Sequence, residues 1–270
     1  FNQDKDERFV DPEWQSTLLS LDVRFIVIDE AHCISQWGHS FRPDYRNLTH
    51  LKQQFPDVII AAFTATATKD VSVDICNQLS LKDPDVITGS FDRENLMIRF
   101  HERIRLKDQI MQALSAHKEG SGIIYVPTRK KVDELASWLN DEGFSVAAYH
   151  AGLSTNVRQQ AQDDFIFDRV RIMVATLAFG MGINKPDIRF VVHTGMPQNM
   201  EQYYQEIGRA GRDGEPAECL CLYSTQDIIL QKQFAHQEPD DAVRHHLLQK
   251  INQMVAFCQS ARCRRIDLLY

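Results

Sequence analysis

Two adjacent carboxylates, Asp29 and Glu30, follow directly after the apolar run Phe25 to Ile28. If that run is a strand of a parallel sheet, it delivers both side chains to the sheet edge where ligands usually bind. There an aspartate can hold Mg²⁺ through its bound water, and the next carboxylate can act as base toward a water that attacks a phosphate. Acidic pairs at strand ends also occur as solvated loop residues, so the pair alone leaves both interpretations open.

A second group that could act on phosphate lies in the segment Gln205 to Gly214, which carries Arg209 and Arg212 three residues apart. An arginine that reaches a transferring phosphoryl group stabilises its developing charge and is worth roughly 10³ to 10⁵ in rate. The alternative is a helix-terminal pair of salt-bridging arginines. Upstream, Val174 to Pro186 predicts a strand followed by a glycine-containing turn whose exposed amides could bind phosphate oxygens.

A phosphate-binding loop of the form G-x-x-x-x-G-K-[ST] would be needed beside these groups. None of the 12 glycines is followed by lysine. We therefore expect the chain to be an internal fragment whose phosphate-binding front end lies upstream of Phe1.

Composition indicates a globular protein, with 43% hydrophobic and 25% charged residues and no apolar run long enough to span a membrane. We expect no membrane partner and a location in the cytosol or nucleus: cytoplasmic, with the nucleoid, if bacterial, and nuclear if eukaryotic. The net charge of -7 means that any contact with DNA must be local. Six irregularly spaced cysteines are typical of reduced thiols.

Apolar runs alternate with helical patterns along the chain, which predicts parallel sheets with crossover helices. The predicted strands are Phe25 to Asp29, Val58 to Phe63, Met97 to His101, Gly122 to Val126, Val146 to His150, Arg171 to Ala175, Phe190 to His193 and Glu218 to Tyr223. Helices are predicted from Pro43 to Phe55, after Lys69, after Thr128 as N-cap, and over Thr225 to His236 and Asp241 to Gln259. The periodicity lapses near Ser90, where we place a hinge.

A resemblance to a known family rests on motifs in a fixed order. They are Asp29-Glu30-Ala31-His32 (motif II), Cys33 to Pro43 (an aromatic-rich loop), Thr64-Ala65-Thr66 (motif III), Ile123 to Arg129 (motif IV), Tyr149 to Leu153, Ala175-Thr176 through Pro186 (motif V) and Gln205 through Arg212 (motif VI). Together they resemble the motifs of RecQ-type DNA helicases of superfamily 2, over nearly the whole chain.

The resemblance implies an α/β fold with two RecA-like, parallel-sheet domains of the P-loop NTPase type. The expected boundaries are 1–91 for the rear part of the first domain, 92–224 for the second, and 225–270 for the short helical start of a zinc-binding segment. We take residues 92–224 to be the part that folds by itself. The implied activity is ATP hydrolysis coupled to 3′ to 5′ movement on single-stranded DNA and to strand separation in repair and recombination, with ATP and Mg²⁺ as cofactors.

Site roles follow from the matched motifs. The catalytic set is Asp29, Glu30, His32, Gln205, Arg209 and Arg212, and the nucleotide-binding set is Asp29, Gly180, Gly182, Asn184, Arg209 and Arg212. Asp29 would hold Mg²⁺, and Glu30 would be the catalytic base. Arg209 and Arg212 would face the γ-phosphate, and of the two Arg212 is favoured as the arginine finger. The DNA-binding set is Trp37, Phe41, Arg42, Arg129, His150 and Thr176; core packing is the alternative for Trp37 and Phe41.

The implied partners are single-stranded and partly duplex DNA, with single-stranded-DNA-binding and recombination proteins as further candidates. Cys263 would ligate Zn²⁺ in the intact protein only, because four ligands are needed and the chain stops before the others. A different class stays open: a shortened, non-catalytic paralogue that binds DNA or protein without hydrolysing ATP.

Overall fold

The computed structural model describes residues 16–17, 20–35, 43–65, 67, 69–89, 92–180 and 183–269. The chain divides into two compact units, residues 1–89 and 90–270.

The described residues of the first unit include two parallel strands, β1 (Phe25–Ile28) and β2 (Ile59–Ala62), in register with Phe25 opposite Ile59. They also include the 3-10 helices Ala31–Ile34 and Pro43–His50, and after these α1 (Leu51–Gln54) and α2 (Lys69–Gln78). The predicted helix from Pro43 to Phe55 is thus mostly 3-10. Its apolar residues Tyr45, Leu48 and Leu51 are spaced by three, the period of a 3-10 helix.

One side of this small sheet is covered and the other is not, within the part of the chain that the structure describes. Ile28 packs with Leu51, Val71 and Ile75. Large apolar side chains remain exposed in and beside the strands; they are Phe25, Val27, Ile59 and Phe63. A surface of this kind is a liability for aggregation unless further chain covers it.

The second unit is built on six parallel strands in the order β3-β8-β7-β4-β6-β5. The strands are β3 (Leu96–Glu102), β4 (Ser121–Tyr125), β5 (Val146–Tyr149), β6 (Ile172–Ala175), β7 (Ile188–His193) and β8 (Ala217–Tyr223). The helices are α3 (Leu106–Ala116), α4 (Arg129–Asp141), α5 (Thr155–Ile166), α6 (Met200–Ile207), α7 (Thr225–His236), α8 (Asp241–Gln259) and α9 (Arg264–Leu269).

Both faces of the sheet are buried, as expected for parallel strands covered by crossover helices. Neighbours Ile123 and Ile124 in β4 point to opposite faces and belong to different core clusters. The first cluster also takes in α7 and α8 through Ala235, Ile251, Met254, Phe257 and Cys258. The C-terminal helices are therefore part of the core of this unit, whereas the sequence suggested that the fold closes at residue 224.

The predicted strands are confirmed to within two residues at each end, and α7 and α8 have the predicted bounds. Thr128 caps α4, because its side chain accepts the Lys131 N–H. Among the described residues, no helix combines the length and the apolar character needed to cross a bilayer.

Candidate active site

The turn after β1 holds Asp29 and Glu30. Glu30 has φ 50° and ψ 39°, in the left-handed region that costs a non-glycine residue about 1–2 kcal/mol. The Asp29 side chain is exposed, and its Oδ1 accepts the Glu30 N–H at 2.8 Å. An exposed carboxylate held by its neighbour's amide is a suitable ligand for hydrated Mg²⁺.

His32 connects this turn to the end of β2. Its ring is 2% exposed, and Nδ1 lies 2.9 Å from Thr64 Oγ1 and 3.2 Å from Glu30 Oε2. The carboxylate proposed as base and the hydroxyl that begins motif III thus share one imidazole nitrogen. A movement at Thr64 has a direct route to Glu30.

The arginines of motif VI contact the segment between β6 and β7. Arg209 donates to the Gly180 carbonyl, and Arg212 Nη1 donates to the Ile183 carbonyl at 2.8 Å. A Cβ at Gly180 would overlap the Arg209 guanidinium, so a side chain here would displace that group. The structure therefore brings Gly180, Arg209 and Arg212 together.

Both arginines are held by main-chain carbonyl oxygens, and neither pairs with a carboxylate among the described residues. Burial, and after it the positive charges of Arg209 and Arg93, lower the pKa of Arg212. Cations this close together repel, and an anion between them would relieve the repulsion. This arrangement fits a phosphate better than it fits a helix-terminal salt bridge.

The remaining nucleotide-site predictions gain less from the structure. Gln205 is half-buried on α6, one turn before Arg209, and Asn184 is exposed before β7. Gly182 lies outside the described residues, and a phosphate contact through the Gly180 amide stays a prediction.

Three predicted DNA-binding residues lie at the carboxyl ends of adjacent strands. Arg129, His150 and Thr176 follow β4, β5 and β6. The Thr176 N–H bonds to the Tyr149 carbonyl at 3.1 Å.

His150 is 5% exposed and bonded through both nitrogens. Its Nε2 lies 3.0 Å from Asp133 Oδ1, and its Nδ1 accepts the Gly152 N–H at 3.1 Å. The ring must then carry its proton on Nε2. In this arrangement His150 shapes the loop beside Arg129, and its direct contact with DNA stays a prediction.

Trp37, Phe41 and Arg42 lie outside the described residues. Their role as a DNA sensor stays a prediction.

Three models of known protein families match this chain. Residues 6–73 match the DEAD/DEAH box helicase model, 105–214 the helicase conserved C-terminal domain, and 225–270 the RecQ zinc-binding model. The ATP-dependent DNA helicase RecQ of Haemophilus influenzae is 46% identical over 247 residues, which are 92% of this chain and 40% of that protein. That of Bacillus subtilis is 42% identical over 269 residues, 98% of this chain and 45% of that protein.

The chain belongs to the RecQ family of helicases. It spans less than half the length of these two relatives. Its parallel sheets are those of RecA-like helicase domains. The Saccharomyces cerevisiae helicase Dbp5 bound to RNA and ADP BeF3 shares the fold with a TM-score of 0.60 at 22% identity, over 86% of this chain and 57% of that one.

The RecQ zinc-binding match includes Cys263, which is exposed directly before α9. Hydrogen bonds from the N–H groups of Ile266 and Arg265 lower the pKa of the Cys263 thiol. A readily formed thiolate fits one zinc ligand. Within the described ranges no three His, Cys, Asp or Glu side chains lie together as a metal site, and all six cysteines are free thiols.

Sequence reasoning missed how this RecQ chain anchors motif V. Lys185 is buried, and its Nζ lies 2.6 Å from Asp168 Oδ1 and 3.1 Å from Asp187 Oδ1. Asp168 itself has φ 58°. No sequence signal pairs Asp168 with Lys185, because the two belong to different loops that meet only in the folded sheet.

Proposed function

We propose that this chain forms part of an ATP-dependent RecQ-type DNA helicase that moves 3′ to 5′ on single-stranded DNA. Asp29 binds Mg²⁺ through water, Glu30 is the general base, and Arg212 is the arginine that meets the γ-phosphate, with Arg209 beside it. Single-stranded and partly duplex DNA are the substrates. Repair and recombination are the proposed processes.

The observation that carries this proposal is the sharing of His32 Nδ1 by Glu30 and Thr64. Coupling between hydrolysis and DNA requires an element that responds to both. A buried imidazole whose Nδ1 lies within 3.2 Å of both Glu30 and the motif III hydroxyl of Thr64 is suited to be that element. The sequence identity to RecQ DNA helicases supports DNA as the nucleic acid on which the protein acts.

The deciding experiment measures DNA-stimulated ATP hydrolysis by the intact protein carrying Glu30→Gln or Arg212→Ala. Each should lower kcat by about 10²-fold or more while nucleotide binding and the unfolding temperature change little, since each acts on the transition state. Asp57→Asn and Arg105→Ala, at exposed positions, are the matched controls. Loss of folding in step with loss of rate would favour a structural role.

The DNA sensor is tested separately. In the intact protein Trp37→Ala should remove most of the stimulation by single-stranded DNA and the unwinding. If Trp37 belongs to a core instead, the same change should cost about 3–5 kcal/mol of stability.

The 270-residue chain by itself should not hydrolyse ATP, because it has no P-loop sequence to hold the β- and γ-phosphates. Phosphate release that single-stranded DNA stimulates would contradict this. If the intact protein also binds DNA without turnover, the non-catalytic paralogue is the better description.

A further inference from the structure

Arg93 reaches the turn that separates the two motif VI arginines. Its Nη2 donates to the carbonyl oxygens of Ala210 at 2.9 Å and Gly211 at 2.7 Å. These two carbonyls lie in the turn that follows α6, which ends at Ile207. The half-buried Arg93 guanidinium thus provides hydrogen-bond donors for the carbonyls of the two residues that lie between Arg209 and Arg212, and it orders the backbone there.

Asn95, directly before β3, holds the same turn. Its Nδ2 donates to the Gly211 and Glu215 carbonyls, both at 2.8 Å. Gly211 has φ 54°, and a Cβ there would overlap the Asn95 amide. The fit is tight enough that the turn has little freedom while Arg93 and Asn95 are in place.

A third side chain fixes the segment that carries Arg93 and Asn95. Arg265 of α9 donates through Nη2 to the Glu94 and Leu96 carbonyls at 3.0 and 3.2 Å, and its Nε lies 3.2 Å from Asp92 Oδ1. The contacts thus run from α9 through residues 92–96 to the turn 208–215.

We propose that Arg93 and Asn95 are positioning residues for Arg209 and Arg212, and that Arg265 ties this brace to the C-terminal segment. The proposal rests on the proposed ATP hydrolysis, because the arginines need a fixed position only when charge develops on a phosphoryl group. A loosened turn leaves substrate binding intact and lowers the fraction of time in which an arginine is correctly placed.

The kinetic arm uses the intact protein at a temperature well below its unfolding temperature. Arg93→Gln should lower kcat about tenfold and change KM for ATP less than about twofold, the pattern of a contribution made only in the transition state. Arg93→Lys keeps a donor but not the planar fork, and should restore part of the rate. Arg265→Gln should act in the same direction.

The matched controls are Arg99→Gln on β3, the strand that follows Arg93 and Asn95, and Arg262→Gln just before α9. Arg99 is half-exposed and pairs with Glu218 at 3.1 Å, and Arg262 is three-quarters exposed. Both should have normal kcat and KM.

The second arm needs no activity and uses the 270-residue chain. Amide hydrogen exchange of residues 208–215 should be about tenfold faster in Arg93→Gln and Arg265→Gln than in wild type or the controls. Unchanged exchange overturns the brace. Faster exchange with normal kcat overturns the positioning role. A loss of kcat that occurs only in variants with a lowered unfolding temperature also overturns it. If the wild-type intact protein hydrolyses no ATP, the proposed function and the positioning role fail together, and exchange still decides whether the brace exists.

Discussion

At the scale of single residues, Glu30, which we propose as the general base, has an unfavourable backbone conformation. Its φ of 50° persists because the residues after it are fixed: Ala31 N–H bonds to the Phe63 carbonyl at 2.9 Å, and Ala31 to Ile34 are buried. Strained residues held by rigid surroundings cluster at functional sites. Here the strain aims the carboxylate at the carboxyl edge of β1.

This conformation reverses the usual order of alanine and glycine. Both Glu30→Ala and Glu30→Gly remove the carboxylate, but only alanine keeps a Cβ in the left-handed region. Glu30→Gly should therefore be more stable than Glu30→Ala by about 1 kcal/mol. Urea unfolding of the chain, followed by circular dichroism, measures the difference.

Asp70 in the first turn of α2 is the control, because there alanine should be the more stable of the two by about 0.5–1 kcal/mol. The same order of stability at both positions would mean that Glu30 is not strained.

Candidate site residues could be recognised from the sequence where they are close neighbours along the chain. Asp29 with Glu30, and Arg209 with Arg212, stand out in this way, and their roles in catalysis stay predictions. Arg93 gave no such signal, because its partner carbonyl on Ala210 is 117 residues away. The burial of His150 was likewise hidden, since it depends on Asp133 and on the Gly152 amide.

At the scale of elements, the segment between β6 and β7 is the scaffold of the arginine pair. It accepts hydrogen bonds from Arg209 and Arg212 at Gly180 and Ile183, and Lys185 ties its end to Asp168. Gly180 leaves space for the Arg209 guanidinium. This role is separate from the predicted contact of its backbone amide with phosphate.

Gly180→Ala in the intact protein should therefore displace Arg209 and lower ATP turnover about as much as Arg209→Ala does. The fold should survive, because the added methyl meets the flexible end of a side chain. Steady-state hydrolysis beside thermal unfolding tests this. Gly195→Ala adds a methyl at ordinary contact distances and should behave as wild type; a Gly180→Ala enzyme with normal turnover would remove this role from the glycine.

Strands were predictable because each is a short apolar run between polar breaks, and α7 and α8 because caps and periodicity agree. The sequence predicted a helix at Pro43–His50 without its 3-10 character, although the apolar residues Tyr45, Leu48 and Leu51 are spaced by three. The sequence pattern does not tell which element an apolar helix face packs against. The apolar residues of α8 lie on one face, and the fold shows that this face packs on β3 and α6.

At the scale of the whole molecule, the C-terminal helices complete the core of the second unit. Phe257 of α8 packs against Phe100 and Tyr203 with ring centroids 5.0 and 5.8 Å apart. Ile251 and Met254 are buried beside it. The segment matched by the zinc-binding model is thus joined to the helicase domain by apolar packing and not only by the chain.

Residues 90–224 alone should consequently fail to unfold cooperatively. Burial of Ile251, Met254 and Phe257 contributes about 2 kcal/mol each, or roughly 6 kcal/mol in all, against a typical domain stability of about 5–15 kcal/mol. Residues 90–259, which keep α8 and lack only α9, should unfold in a single transition. Thermal unfolding of the two proteins compares them, and a cooperative transition in residues 90–224 would show that the sequence-based boundary at 224 is sufficient.

Among the described strands, β3 lies at the sheet edge and pairs with β8, and this position has a consequence during synthesis. Leu96 meets its partner Ala217 about 120 residues later in the chain, so at about 5–20 residues per second β3 leaves the ribosome roughly ten seconds before β8 exists. Until then its Ile98 and Phe100 have no strand to pair with and depend on a chaperone or on the ribosome surface for protection. Nascent chains arrested before residue 217 should therefore remain cleavable by protease near β3, and those arrested after α8 has emerged should not.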